Sequence, residues 1–455
     1  MTRYVAGLDL GSTSLKLLIA PLLRLDHEVV VVQRPTPWRS RTGGLTELDA
    51  DDLIEVLADL LAAGAAHLVE VAGPDARVEA LAASGMGETG FVVDAAGHAS
   101  APAVAWFDPR GEEELKRLSS RFGDEFAART GLPAGVQVSV VKLAHLAASG
   151  HDLRRLQWLN LPDFVVAAMG AEVAADLSLT SRTGLIDQDS TAPWREMLDW
   201  LGVGEGFLPP LLEAGTARGI GTAAWLPPAF QGSALCVAGH DHLVSAVAAG
   251  AVSTDRYHGS LGTAEVLLRV LEQPLEPDAR VRLAGYFINC VRHVLPGRWV
   301  LVAGVKTGLL QRRALQLAGI TDRPGRDRLD DEVMALPLEG RLAAGGVAIT
   351  GAANDDGVLS ISITSDGVTP AELFGAVLRH GNDELRVLLD ALDRELPPPS
   401  TTILTGGWAH MRSVHRARSA VLPGVNVSDR EQDTAHGAAR FAFHLATASA
   451  AKATD

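Results

Sequence analysis

A chain of 455 residues with a formal net charge of −15 has no basic excess with which to neutralise a polynucleotide backbone, so nucleic acid is excluded as a partner. Hydrophobic residues make up 47% and charged residues 21%, the balance of a globular enzyme, and the length exceeds what one core usually fills, so two domains are expected. The two cysteines, Cys236 and Cys290, can build neither a disulfide framework nor a tetrahedral thiolate metal site, which fits a reducing, cytoplasmic setting.

The first element is a hairpin. Apolar residues 4–8 run into the small, polar turn Asp9-Leu10-Gly11-Ser12-Thr13-Ser14 and return through apolar residues 15–19, which is strand, turn and strand. Asp9, Gly11, Ser12 and Lys16 break the apolar run, so residues 1–20 are expected to be neither a signal peptide nor a membrane span, and no later segment is long and apolar enough to span a membrane. A strand follows at 29–33. Residues 49–63 read as a helix, capped by Asp49, with Leu53, Val56, Leu57, Leu60 and Leu61 on one face. Residues 78–84 form a strand ending in the glycine-rich turn 85–90, with 91–94 returning. Helices are expected at 110–122, 139–149, 162–170 and 193–201.

Near the middle, residues 234–238 are a buried strand that meets Gly239-His240-Asp241-His242 and a helical run over 243–251. A second hairpin then repeats the logic of the first, with Gly259, Ser260, Gly262 and Thr263 between apolar strands over 257–268. Two such hairpins, one opening each half, indicate internal duplication. The boundary falls near 245–255, giving domains 1–245 and 246–455. Residues 395–400 are a short spacer before the β-branched strand 401–405, which ends in Gly406-Gly407, and residues 431–446 form a closing helix.

The hairpin turns carry what a triphosphate requires. Gly11 lets the backbone approach, Ser12, Thr13 and Ser14 offer hydroxyls, Lys16 brings positive charge, and Asp9 can hold hydrated Mg²⁺. An ordinary hairpin with a polar tip has the same composition. The turn is not a Walker loop, since it lacks the Gly-Lys-Ser/Thr ending. Two readings also stand for Asp241, at a strand-to-helix junction: a base for a substrate hydroxyl, or a helix cap. His240 and His242 are two residues apart, a spacing that points them away from each other on a helix, and no third metal ligand accompanies them. Glu88 can accept hydrogen bonds from substrate hydroxyls or sit solvated in its turn. Trp106, Phe107, Asp108 and Arg110 suit a polyol with one apolar face, and equally a helix start with Asp108 as cap and Pro109 in the first turn.

Taken in order, these segments resemble the FGGY family of carbohydrate kinases over nearly the whole chain. The likeness runs from Asp9-Leu10-Gly11-Ser12-Thr13-Ser14-Leu15-Lys16 through Trp106-Phe107-Asp108-Pro109-Arg110, residues 174–187 and 208–211. It continues through Gly239-His240-Asp241, Gly259-Ser260-Leu261-Gly262-Thr263 and Leu404-Thr405-Gly406-Gly407 to residues 431–439. The resemblance implies an α/β fold of two ribonuclease-H-like (actin-like ATPase) domains with a central cleft, the first binding sugar and the second nucleotide. It implies an ATP- and Mg²⁺-dependent kinase in which Asp241 is the general base and Asp9 the magnesium-side carboxylate. Gly11, Ser12, Thr13, Lys16, Gly262 and Thr263 would contact phosphates, Gly406 and Gly407 would lie by the adenosine, and Glu88, Trp106, Asp108 and Asp241 would meet the acceptor.

The expected acceptor is a ketose, a pentulose or hexulose. The alternatives are a polyol or sugar acid, or a non-catalytic, nucleotide-gated sugar-binding regulator of the same fold. Gly87-Glu88 stands where xylulose kinases of the family carry Met-His and glycerol kinases Arg-Glu. Lys306, in Gly304-Val305-Lys306-Thr307-Gly308, is either a phosphate contact or a surface lysine. The 336–357 stretch reads as a shortened loop on the ATP side. The assembly considered is a homodimer.

Overall fold

The computed structural model describes residues 3–337, 346–352, 359–428 and 433–452. Contacts divide the chain into two compact units, Met1–Ala248 with Val291–Trp299 and Gln432–Asp455, and Ala249–Cys290 with Val300–Glu431. The expected division at 245/246 lies close to the first of these borders, but it assigns the closing helix to the second half. That helix belongs with the first unit, because it packs on the first unit's opening strand.

The first unit is built on a five-stranded sheet. Its strands are β1 (Tyr4–Leu10), β2 (Ser14–Pro21), β3 (Val30–Pro35), β4 (Val78–Gly85) and β5 (Ala234–His240), in the order β5-β4-β1-β2-β3. The β1–β2 and β2–β3 pairs are antiparallel, while β4 pairs parallel to β1 and β5 parallel to β4. β1 is buried along its whole length, Asp9 included, as a strand covered on both faces should be. On one side lies α1 (Ala50–Ala72), whose first turn is capped by the Asp49 carboxylate accepting from the Asp51 and Asp52 amides. Its buried residues Leu53, Leu57, Leu60, Leu61, Gly64 and Leu68 follow helical spacing, and each buried leucine contributes roughly 1.5–3 kcal/mol. The helix runs nine residues past the expected Ala63, to Ala72, and closes at Gly73.

The second unit repeats the plan. Strands β6 (Arg256–Leu261), β7 (Glu265–Leu271), β8 (Asn289–Arg292), β9 (Trp299–Val305), β10 (Thr401–Thr405) and β11 (Val425–Val427) lie in the order β8-β9-β7-β6-β10-β11. The β6–β7 hairpin is antiparallel, and β10 and β11 add in parallel on the side of β6. Setting aside the edge strand β8, each sheet has a central hairpin, one further strand beside its second arm, and two parallel strands beside its first. The duplication inferred from the paired turns is therefore visible as repeated topology.

Helix α2 (Asp241–Ala248) leaves the end of β5. In the second unit α3 (Thr307–Leu317), α4 (Pro370–Asp393) and α5 (Arg412–Ser419) pack beside the sheet, and α6 (Asp433–Lys452) returns to the first unit. α6 presses on β1 so closely that a Cβ on Gly7 would stand 1.9 Å from the Ala435 carbonyl oxygen, so only glycine fits there. Residue 431, the expected start of this helix, and most of the 336–357 stretch fall outside the described residues. Among the described residues no helix is long and apolar enough to cross a membrane.

Candidate active site

Sheet register brings the first set of candidate residues together. Asp9 stands opposite Lys16 across the hairpin and beside Ser84 on β4, and Ser84 in turn is paired with Gly239 on β5. Asp241 follows two residues later. Asp9 is only 7% exposed; burial and the charge of Asp241 raise its carboxyl to about 7, with Lys16 acting in the opposite sense. Burial also pushes the Asp241 carboxyl up, but the His242 and His240 rings, the His242 amide and Arg182 outweigh it, so Asp241 is held below the usual carboxylate range. Two acidic groups thus share one place with their affinities for protons driven apart.

Asp241 is the first residue of α2 and its Oδ1 accepts the His242 amide at 2.6 Å. The acid therefore sits at the helix start, as both readings of it required. His240 ends β5 rather than opening the helix, so the two histidines do not diverge as their spacing suggested: their ring centroids are 5.6 Å apart at 36°. His240 is buried, and burial first, then Arg182, hold its pKa well below the ordinary value. The ring is neutral at pH 7. Among the described residues no group of three or more His, Cys, Asp or Glu side chains could hold a metal.

The turn of the first hairpin faces outward because its carbonyls are tied from behind. The Thr36 hydroxyl donates to Gly11 O at 2.6 Å, Trp38 Nε1 donates to Ser12 O at 2.6 Å, and the Thr36 amide donates to Thr13 O at 3.2 Å. Among the described residues, nothing accepts from the Ser12 and Thr13 amides. Successive N–H groups left open on a polar turn make an anion cradle. Thr36 and Trp38 were not singled out from the sequence, since nothing local marks a residue about 25 positions away as a brace.

Glu88 adopts a left-handed conformation, φ 60°, sparsely populated for a residue with a side chain. It is held on every side. Its carboxylate Oε1 accepts from Arg182 Nε at 2.7 Å and lies 2.6 Å from Arg182 Nη2, and its carbonyl accepts from the Ser139 hydroxyl at 2.8 Å. The next residue, Thr89, accepts the Trp106 amide at 3.0 Å, which fixes Trp106 beside this turn. Arg182 Nη1 is buried and has no partner among the described residues. Arg182 also crowds Gly87, where an added Cβ would come within 3.0 Å of its Nε and 2.8 Å of the His240 ring. Glu88, Trp106, Arg182, His240 and Asp241 are therefore one cluster. Arg182 was missed because its partner lies 94 positions earlier in the chain.

Asp108 takes a different part from either expected one. It is fully buried and accepts from the Thr46 amide at 2.6 Å, the Arg110 amide at 2.9 Å, Arg110 Nε at 2.8 Å and Arg110 Nη2 at 2.7 Å. Four donors fill a carboxylate, so no lone pair is left for an acceptor sugar. Nor does Asp108 cap a helix, which begins at Glu112 with Gly111 before it.

In the second unit the β6–β7 turn holds Gly262 and Thr263, and Arg312 Nη2 donates to the Thr263 hydroxyl at 3.2 Å. Behind it, Glu265 accepts from Arg418 Nε and Nη2, both at 2.6 Å, and from the Thr307 hydroxyl at 2.8 Å, while Arg418 also donates to Asn382 Oδ1 at 2.6 Å. Gly406, at φ 90°, packs on the β6–β7 hairpin, and a Cβ there would stand 2.5 Å from Leu261 O; at Gly407 a Cβ would meet nothing. Lys306 precedes α3, its amide donating to Ala352 O at 2.6 Å.

Residues 4–241 match the model of the N-terminal domain of the FGGY family of carbohydrate kinases. The chain is 25% identical over 228 residues to a glycerol kinase of Thermococcus gammatolerans, covering 48% of this chain and 45% of that one. It is 21% identical over 277 residues to the xylulose kinase of Bacillus subtilis, covering 60% and 54%. The chain thus spans about half the length of the curated relatives it matches. Its fold matches the crystal structure of Plasmodium falciparum glycerol kinase with ADP at a TM-score of 0.85, with 15% identity and coverage of 98% of this chain and 90% of that chain.

Proposed function

We propose that this chain, which belongs to the FGGY family of carbohydrate kinases, transfers the γ-phosphoryl group of ATP to a hydroxyl of a ketose, a pentulose or hexulose, with Asp241 as the general base. The observation that carries this reading is the pair Asp9 and Asp241, two carboxyl groups at the ends of the strands that flank β4, whose proton affinities are split by their surroundings. Asp241 stays ionised at neutral pH and is available to take a proton from an attacking hydroxyl. Asp9, buried beside that charge, is a carboxyl in need of a cation.

The donor set fits Mg²⁺, which takes one or two carboxylates and completes its shell with water and phosphate oxygens. Asp9 would hold it, and when bound the ion would offset charge on the phosphoryl oxygens. Lys16 and the open amides of Ser12 and Thr13 would hold phosphate oxygens, as would the Gly262–Thr263 turn, with Gly406 and Gly407 toward the adenosine. Glu88, fixed by Arg182, would accept hydrogen bonds from acceptor hydroxyls, and Trp106 would cover an apolar sugar face. Phosphoryl transfer asks a protein chiefly to position its reactants and stabilise charge, and these side chains would divide that work. The xylulose kinase relative favours a ketose acceptor. A cytoplasmic location and a homodimeric state complete the reading. The test is ADP release from ATP with Mg²⁺ against pentuloses, hexuloses, polyols and aldonates. Acceptor-dependent release that is fastest with a ketose is expected, and none with any acceptor would overturn it.

A further inference from the structure

The peptide unit that joins Gly239 to His240 is gripped at both ends by serine hydroxyls. Ser84 Oγ donates to Gly239 O at 3.0 Å, and Ser178 Oγ accepts the His240 amide at 3.3 Å. Ser178 in turn donates to Asp176 Oδ1 at 2.5 Å, and Asp176 is anchored by accepting the Leu179 amide at 3.1 Å. Ser84 and Asp176 are fully buried and Ser178 is 1% exposed, so solvent cannot replace either bond.

The grip falls on an irregular stretch of backbone. β5 slips register against β4 between Val237 and Gly239, leaving Ala238 unpaired, and Gly239 has φ 103°. A Cβ on Gly239 would stand 2.5 Å from Ser178 Oγ and 2.5 Å from the Val294 side chain. A bulge of this kind bends a strand and re-aims the residues that follow it, here His240 and then Asp241. Left alone, a glycine at a bulge has freedom to turn its peptide plane. Two buried hydroxyls on that plane remove the freedom.

We propose that Ser84 and Ser178 are positioning residues for phosphoryl transfer: together they lock the Gly239–His240 peptide and so aim the Asp241 carboxylate at the attacking hydroxyl. Neither touches substrate. The inference rests on Asp241 being the base, and its signature is a loss of turnover without a loss of binding, because displacing a reacting group by about 1 Å costs on the order of 10²-fold in rate.

The experiment is steady-state ADP release by Ser84→Ala and Ser178→Ala in the full chain, with the acceptor that the wild type uses best. Each variant is expected to lower kcat by roughly 10- to 100-fold while the KM values for ATP and acceptor stay within about threefold. In the Asp241→Asn background neither substitution should lower the residual rate further, since residues acting as one unit are not additive. Folded variants that keep kcat within about threefold of wild type, that raise both KM values instead, or whose losses multiply onto that of Asp241→Asn would overturn the proposal. If Ser178→Ala does not fold, Ser84→Ala alone decides it. A wild type with no acceptor-dependent ADP release would overturn the kinase reading and this inference with it, an outcome distinct from an active wild type with unimpaired serine variants.

Discussion

Arg182 holds Glu88 through two nitrogens on a single oxygen, Nε at 2.7 Å and Nη2 at 2.6 Å from Oε1, and among the described residues Oε2 has no protein donor. One half of the carboxylate is thus structural, and the other is the half that would meet an acceptor hydroxyl. Replacing a charged hydrogen-bond acceptor costs roughly 1.5–3 kcal/mol, or at least about tenfold. Glu88→Gln should therefore lower kcat/KM for the acceptor by about that factor with KM for ATP unchanged. Glu88→Ala should in addition lower the unfolding midpoint, because it strands the buried Arg182 charge at a cost of about 3–5 kcal/mol. Unchanged acceptor kinetics in Glu88→Gln would remove Glu88 from the acceptor site.

The Asp9 carboxyl, raised to about 7 by burial and by the charge of Asp241, makes stability depend on pH and on cation. An unfolded aspartate titrates near 3.9, so the folded protein binds this proton more tightly. The associated stability is fully present below about pH 4 and is lost as pH rises through about 7. The size is on the order of 4 kcal/mol without a cation. Denaturant unfolding in metal-free buffer should show wild type losing stability between pH 5 and 8 relative to Asp9→Asn. At pH 8, Mg²⁺ should restore stability to the wild type and not to the variant. Parallel pH curves for the two proteins would show that Asp9 is not the strained carboxyl.

How much of this was legible in the chain depended on whether a signal was local. Both hairpins could be read because glycine, serine and threonine interrupt apolar strands within a dozen residues, and the Asp49 cap stood directly before its helix. α4 carried a local signal too, a capping box in which Thr369 and Glu372 bond each other's backbone with proline in the first turn, yet this 24-residue helix was not read from the sequence. Asp108 shows the opposite failure. Its neighbours Trp106 and Arg110 suggested a sugar contact, and only the fold reveals Thr46 lying against its carboxylate. Arg182, Ser84, Ser178 and Thr36 owe their contacts to partners far along the chain, Glu88, Gly239, His240 and Gly11 in turn.

The buried pair of Glu265 and Arg418 supports the turn of the second hairpin, with side chains 4% and 0% exposed. Removing one partner leaves the other charged and buried, so Glu265→Ala should destabilise by about 3–5 kcal/mol. Replacing both with apolar residues of similar volume, as in Glu265→Leu with Arg418→Met, should recover most of that loss. Denaturant unfolding of the two single variants and the double measures the cycle. Single variants as stable as the wild type would mean that the pair does not hold this part of the second unit together.

Asp241→Asn should lower phosphoryl transfer by at least about a hundredfold while leaving fold and ATP binding intact. An acceptor hydroxyl attacks poorly unless its proton has somewhere to go as the bond to phosphorus forms. Asp241 would supply that place: burial raises its carboxyl, but His242 and the other groups around it hold it below the usual carboxylate range. Asparagine keeps the shape and an oxygen that can still accept the His242 amide, the bond that Oδ1 makes at 2.6 Å, so the start of α2 is preserved. What it removes is basicity, and general-base help is typically worth about 10² to 10⁴ in rate. The substitution also takes away the charge that raises Asp9, so the Asp9 carboxyl should titrate closer to its ordinary range in the variant. A purely structural aspartate predicts a stable protein with sugar-dependent ADP formation within about threefold of wild type. The base predicts a stable, nucleotide-binding protein whose turnover has fallen at least about a hundredfold.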